Sequence, residues 1–211
     1  MVHESGHAFH SFLAHSLELS FFKETPSEIS EIASMSMEMI TLDNWNVFYP
    51  QPADLRRAKT NYLRHVLGLL PRVCLGDSFQ FWMYSNPDHT VAERRAKWVE
   101  LNARFIPDVI DWTGYEAAQE TGYQRILHFY IVPFYYVEYG IAQLGAMALW
   151  KNFEQNPVKA IADYKKALSL GYTKTIPEFY ATAGARFDFS ETYIAELIDF
   201  TSQQMARVLE N

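Results

Sequence analysis

His3-Glu4-Ser5-Gly6-His7 lies at the start of the chain, within "MVHESGHAFH". On a helix, histidines at i and i+4 stack one turn apart on the same face, so both imidazoles can reach one zinc ion. The intervening glutamate then falls beside the coordination position left open for water, where it can act as a general base. An ordinary solvated helix face satisfies the same spacing, so a third protein ligand decides the class. The arrangement with another histidine six residues after the second is absent, because that position is Leu13. The other common solution is a glutamate on the next helix. Glu28, Glu31 and Glu38 all qualify, in "TPSEISEIASMSMEMI". Glu31 and Glu38 fall two turns apart on nearly one face, so one can bind metal while the other holds a ligand from behind. Spacing alone leaves all three open.

Helices must position these residues, and the local signals for them are strong. The first helix is expected from the start to about Ser20. Thr25 as N-cap, Pro26 at the first helical position and Glu28 at the capping-box position open the second. A long amphipathic helix is expected from about Ala53 to Cys74, ended by Pro71 or Gly76. Thr90 and Glu93 form another capping box before "VAERRAKWVELNARF". Helices are expected from after Pro133 to Phe153, then over 157–170 with Gly171 closing it, over 177–183, and over 191–209 with Ser190 as cap. Only "RILHFYIV" reads as a short extended piece before Pro133.

Composition narrows the class. A hydrophobic share of 49% and an aromatic share of 16% describe a chain that folds around a core. A net charge of −7 without a basic run excludes a nucleic-acid footprint. The single cysteine, Cys74, excludes an internal disulfide and reads as an inert buried thiol. No basic segment followed by an apolar stretch marks a signal peptide. The most apolar region is interrupted by His128, Pro133, Glu138 and Gln143, so no membrane span is expected. A cytoplasmic protein is the expectation. His10 falls nearly in line with His3 and is expected behind the site or at the surface. His15, His65 and His89 carry no partner pattern.

Four separated stretches occur in the order of one known family: "HESGHAFH", "EIASMSMEM" from Glu31, "HFYIVPFYYVEYGIAQLGA" from His128, and "AGARFDFS" near the end. Together they resemble the oligoendopeptidase F and Pz-peptidase branch of the thimet-oligopeptidase family, over nearly the whole chain. The resemblance implies an all-α fold, the multi-helix catalytic lobe of a gluzincin-type zinc peptidase. Residues 1–211 would form one helical catalytic domain, the C-terminal part of a longer peptidase whose N-terminal lobe is absent. It implies one zinc ion per chain on His3, His7 and Glu31, with Glu38 behind the ligands and Glu4 as general base. It also implies substrate contacts from His128, Tyr136 and Tyr139. The histidine-to-tyrosine spacing varies by about one residue between branches, so Tyr135 is the alternative to Tyr136. Without the zinc motif, the same tyrosine stretch reads as an aromatic core stripe.

The activity so implied is hydrolysis of internal bonds in short peptides, with peptides as partners and the oligomeric state open. The chain by itself is then expected to be weakly active or inactive. The reading from another class is a catalytically silent helical module that binds peptides or a partner chain, since half of the cleft would be missing.

Overall fold

A computed structural model describes residues 1–210, and no strand occurs among them. Ten helices follow in order: α1 (Val2–Ala14), α2 (Ser27–Ile40), α3 (Pro52–Ser85), α4 (Val91–Phe105), α5 (Glu116–Glu120), α6 (His128–Ile131), α7 (Tyr136–Gln155), α8 (Pro157–Leu168), α9 (Ile176–Thr182) and α10 (Glu191–Glu210). Short 3-10 turns at 20–23, 42–47 and 122–125 link some of them. The all-α expectation holds. No helix among the described residues is long and apolar enough to cross a membrane.

Packing divides the chain into two compact units. The first comprises residues 1–67 together with the chain from Ile141 onward, and the second runs from Gly68 to Gly140. The first division falls inside α3, next to Leu67. Its carbonyl is the one that Pro71, lacking an N–H, cannot bond. The helix nonetheless continues through Pro71 to Ser85, because one lost bond is a small fraction of a 34-residue ladder.

In the first unit, Ile29, Ile32 and Met39 of α2 are buried with Leu63, Met147, Leu149, Leu168, Phe179, Tyr180 and Leu197. Ala33, Ser34 and Ser36 are buried as well, so α2 is enclosed on more than one face. In the second unit Phe79 is the centre: its ring lies 5.0 Å from Trp98, 5.1 Å from Tyr123 and 6.1 Å from Phe129. Leu75 and Leu101 complete that cluster.

Several local expectations give way to tertiary contacts. α1 ends at Ala14 rather than near Ser20. The segment after it instead turns, and the Phe22 carbonyl accepts the Tyr172 amide at 2.8 Å. α2 begins one residue late, with Pro26 in extended backbone as the cap residue. Thr25 accordingly makes no capping box, and its hydroxyl meets that of Ser30 at 2.7 Å. "RILHFYIV" is not extended. It forms the end of a 3-10 turn and then α6, whose Phe129 inserts into the second core and closes the backbone on itself. Cys74 is exposed, because the inward positions of α3 are taken by Val73, Leu75 and Phe79. Burial of its surroundings, then Asp77, still pushes its thiol above the usual range. Gly171 closes α8 at φ +49°, in the left-handed region.

The box at Thr90 does form, with both reciprocal bonds to Glu93. Thr90→Ala is therefore expected to lower stability by about 1 kcal/mol, measured as a shift of the urea midpoint, and Thr25→Ala by clearly less. Equal losses would contradict the assigned helix starts.

Candidate metal centre

Gly6 sets the distance between α1 and α2. A Cβ at this position would lie 2.5 Å from the Ser34 Cα and 2.7 Å from the Ala33 carbonyl oxygen, both backbone atoms that cannot step aside. The two helices thus meet backbone to backbone. Tyr164 locks the far side of the contact by donating its hydroxyl to the Ala33 carbonyl at 2.6 Å.

This approach brings the side chains of one turn of α1 onto one turn of α2. His3 and His7 stack edge to face with ring centroids 4.9 Å apart. One ligand atom from each of His3, His7 and Glu31 lies within 4.8 Å of the other two. His3 Nε2 is 3.5 Å from Glu31 Oε2. Its other nitrogen, Nδ1, is 3.6 Å from Glu38 Oε1. The imidazole is thus oriented between two carboxylates, as a metal ligand backed by an acid would be. Glu28 is outside the cluster and lies near Tyr180, whose phenol it helps to push up after burial.

The donor set suits zinc. Ligand bonds of about 2.0–2.2 Å at tetrahedral angles put donors about 3.4 Å apart, close to the observed 3.5 Å between His3 and Glu31. Glu31 is buried, and a carboxylate in that position requires a compensating positive group. The Ser34 hydroxyl, 3.3 Å from Glu31 Oε2, adds a hydrogen bond but no charge. A divalent cation between the three side chains meets the requirement.

Behind His3, burial raises the Glu38 carboxyl above its usual range, while His3 and Tyr62 oppose that rise. Tyr62 of α3 donates its hydroxyl to Glu38 Oε2 at 3.3 Å. Burial first, then the Glu38 carboxylate, pushes the Tyr62 phenol well above its ordinary value, so it stays protonated as the donor. Tyr62 has no local signal, since it stands 24 residues from Glu38. Ser34 and Gly6 lie inside quoted motifs, but their roles depend on the helix contact.

Glu4 is exposed in the first turn of α1, and no hydrogen bond or ion pair among the described residues restrains its carboxylate. A cavity of about 270 Å³ borders His3 and Glu38 and is walled by Trp45, Phe48 and Tyr49. His10, expected behind the site or at the surface, is in the core: it is 5% exposed and its ring lies 6.4 Å from that of Phe179. Burial, then repulsion from His7, lowers its pKa to about 4, so it is neutral at physiological pH.

The late aromatic segment belongs to the second unit. His128 Nε2 meets the Tyr139 hydroxyl at 3.3 Å. The Tyr135 ring stacks on His128 with centroids 5.7 Å apart, and Tyr136 is at 5.6 Å. Tyr135 and Tyr139 also touch each other, at 5.4 Å. Tyr136 additionally packs on Phe129 and over Gly76, where a Cβ would come within 2.7 Å of its ring. Burial raises its phenol, and Arg72 opposes the rise. All three tyrosines thus surround the imidazole, and Tyr136 alone of them also leans on the core at Phe129. Phe134, just before α7, adopts φ 63°, uncommon for a bulky residue, and stacks near Tyr84 at 5.1 Å.

The model of peptidase family M3 matches residues 1–198. The oligoendopeptidase F homolog of Mycoplasma pneumoniae is 26% identical over 191 residues, covering 82% of this chain and 30% of that protein. The solved structure of Pz peptidase A with an inhibitor superposes with a TM-score of 0.86 at 28% identity, over 96% of this chain and 36% of that one. A protein of Bacillus anthracis assigned to oligoendopeptidase F gives a TM-score of 0.80 at 26% identity, over 98% and 33%. The chain spans about a third of the length of these relatives.

Gly6→Ala would stabilise an isolated helix by about 1 kcal/mol. Here the added methyl meets backbone, so the substitution is expected to destabilise the chain in urea denaturation. A gain in stability would show that α1 and α2 are not in this contact.

Proposed function

Since the chain belongs to peptidase family M3, we propose that it carries the zinc centre and general base of a metalloendopeptidase acting on internal bonds of short peptides. The observation that carries this reading is the meeting of His3, His7 and Glu31 ligand atoms within 4.8 Å across the α1–α2 contact. Because relatives are about three times as long, the peptidase activity, its substrates and its partners are all part of the proposal.

His3, His7 and Glu31 would hold the metal, and Glu38, braced by Tyr62, would fix the His3 ring from behind. Zinc bound in this way supplies an open position that acidifies water and polarises the peptide carbonyl. Glu4 accepts the proton of the attacking water and returns it to the departing amine. Its freedom from hydrogen bonds and ion pairs suits a group that must exchange protons in each cycle. His128, Tyr136 and Tyr139 are the proposed donors to the carbonyl oxygen as it gains negative charge, with Tyr135 as the alternative to Tyr136.

Chelator-treated protein titrated with zinc is expected to take up one equivalent per chain. Glu38→Gln should weaken binding by about 10–100-fold, Glu31→Ala by more, and Glu28→Ala hardly at all. Tight zinc binding by Glu31→Ala would remove Glu31 from the ligand set.

In a protein extended to the length of its relatives, Glu4→Gln should retain the zinc while losing hydrolysis of a quenched fluorescent peptide by about 100-fold or more. Undiminished turnover would exclude Glu4 as the base. Zinc uptake without hydrolysis by a protein extended to the length of its relatives would favour the silent binding module.

A further inference from the structure

The second unit contains a cavity of about 360 Å³, at the small end of the range for ligand pockets, where the end of α3, the start of α4 and α6 converge. Its walls are apolar and aromatic: Met83, Tyr84, Phe129 and Tyr130. Its charged group is Arg94, and no acidic residue is among the described residues lining it.

Arg94 is held in an unusual way. Its Nε–H donates to His89 Nε2 at 2.8 Å. An imidazole that accepts at Nε2 carries its proton on Nδ1, and His89 Nδ1 lies 2.5 Å from the Asn86 carbonyl oxygen, so it donates there. The His89 ring is also braced by Trp82, with centroids 5.0 Å apart. The guanidinium is thus anchored by one edge through a neutral partner. Its two terminal NH₂ groups are left uncommitted, and Arg94 makes no ion pair among the described residues.

A half-buried guanidinium without a carboxylate is a strong and directional donor site for one, since its fork matches the two oxygens. Arg94 is close enough to Tyr130 to oppose the rise in that phenol's pKa, which burial and then Tyr123 produce. The tyrosine therefore borders the same space. We propose that this cavity binds a carboxylate carried on an apolar or aromatic group, with Arg94 gripping the carboxylate and the half-exposed rings of Tyr84 and Tyr130 flanking the apolar part over Phe129. His89 is a positioning residue that sets the direction of the fork. The carboxylate can come from a single acylated amino acid or from the C-terminus of a peptide, and both present the same chemistry.

Calorimetric titration of the chelator-treated chain tests the site, because removing metal prevents carboxylates from being drawn to the centre in the first unit. The probes are N-acetyl-phenylalanine, its amide, acetate, and N-acetyl-Ala-Ala-Phe. The acid is expected to bind at least about tenfold more tightly than the amide, which lacks the charge-assisted pair, and acetate more weakly still. A tripeptide about tenfold tighter than the single residue identifies a peptide C-terminus as the ligand. Equal affinity identifies the carboxylate and its apolar group alone. Arg94→Gln should abolish the preference for acid over amide, and His89→Ala should reduce it. Equal binding of acid and amide by the unaltered chain, or no binding of either, overturns the proposal whatever the variants do. So does an Arg94→Gln variant that keeps the preference.

Discussion

The backbone contact at Gly6 is the constraint from which the candidate centre follows. Helices ordinarily pack with axes 8–10 Å apart, at a distance set by the side chains between them. Where one partner has no side chain and the other presents Ala33 and Ser34, the helices can close until their backbones touch. Only then do imidazoles from α1 and a carboxylate from α2 fall within one coordination sphere. A Cβ at position 6 would lie 2.5 Å from the Ser34 Cα, so the helices would have to move apart and carry the donors with them.

Closing the helices buries polar groups, and the structure meets that cost with a chain of close imidazole–carboxylate contacts and hydrogen bonds rather than with isolated pairs. Glu31 is answered by His3 and Ser34, His3 by Glu38, and Glu38 by Tyr62. Each group limits the freedom of the next, so the His3 ring has its plane set before any ion arrives. Such preorganisation is what a metal site would require of its ligands. Glu4, by contrast, is left exposed and unrestrained beside this ordered set.

Imidazoles play a similar part in both units. In each case one ring nitrogen is engaged, which leaves the other to act in a known direction. His3 turns Nδ1 to Glu38 and Nε2 toward Glu31, while His89 turns Nδ1 to Asn86 and Nε2 to the Arg94 guanidinium. The outcomes differ because the partners differ. Two carboxylates around an imidazole suit a cation, whereas a guanidinium steadied by a neutral ring remains positive and suits an anion.

By itself the sequence determined what local physics controls. Histidines four apart on a helix, the Thr90–Glu93 box and the Gly171 stop all depend on neighbours within a turn or two, and all are legible without the fold. Glu28, Glu31 and Glu38 remained equivalent by spacing, and the resemblance singled out Glu31 only by analogy. The tertiary structure distinguished them physically, bringing Glu31 to both histidines, Glu38 to the back of His3 and Glu28 toward Tyr180. It also decided that His10 is a neutral core residue, that Cys74 is exposed and that "RILHFYIV" coils instead of extending. Tyr62, 24 residues from Glu38, was invisible along the chain for the same reason, whereas Arg94 and His89 are five residues apart and only the direction of their side chains was hidden. Burial and the direction of a side chain are set by what packs against a helix, and the packing partners are tens of residues away.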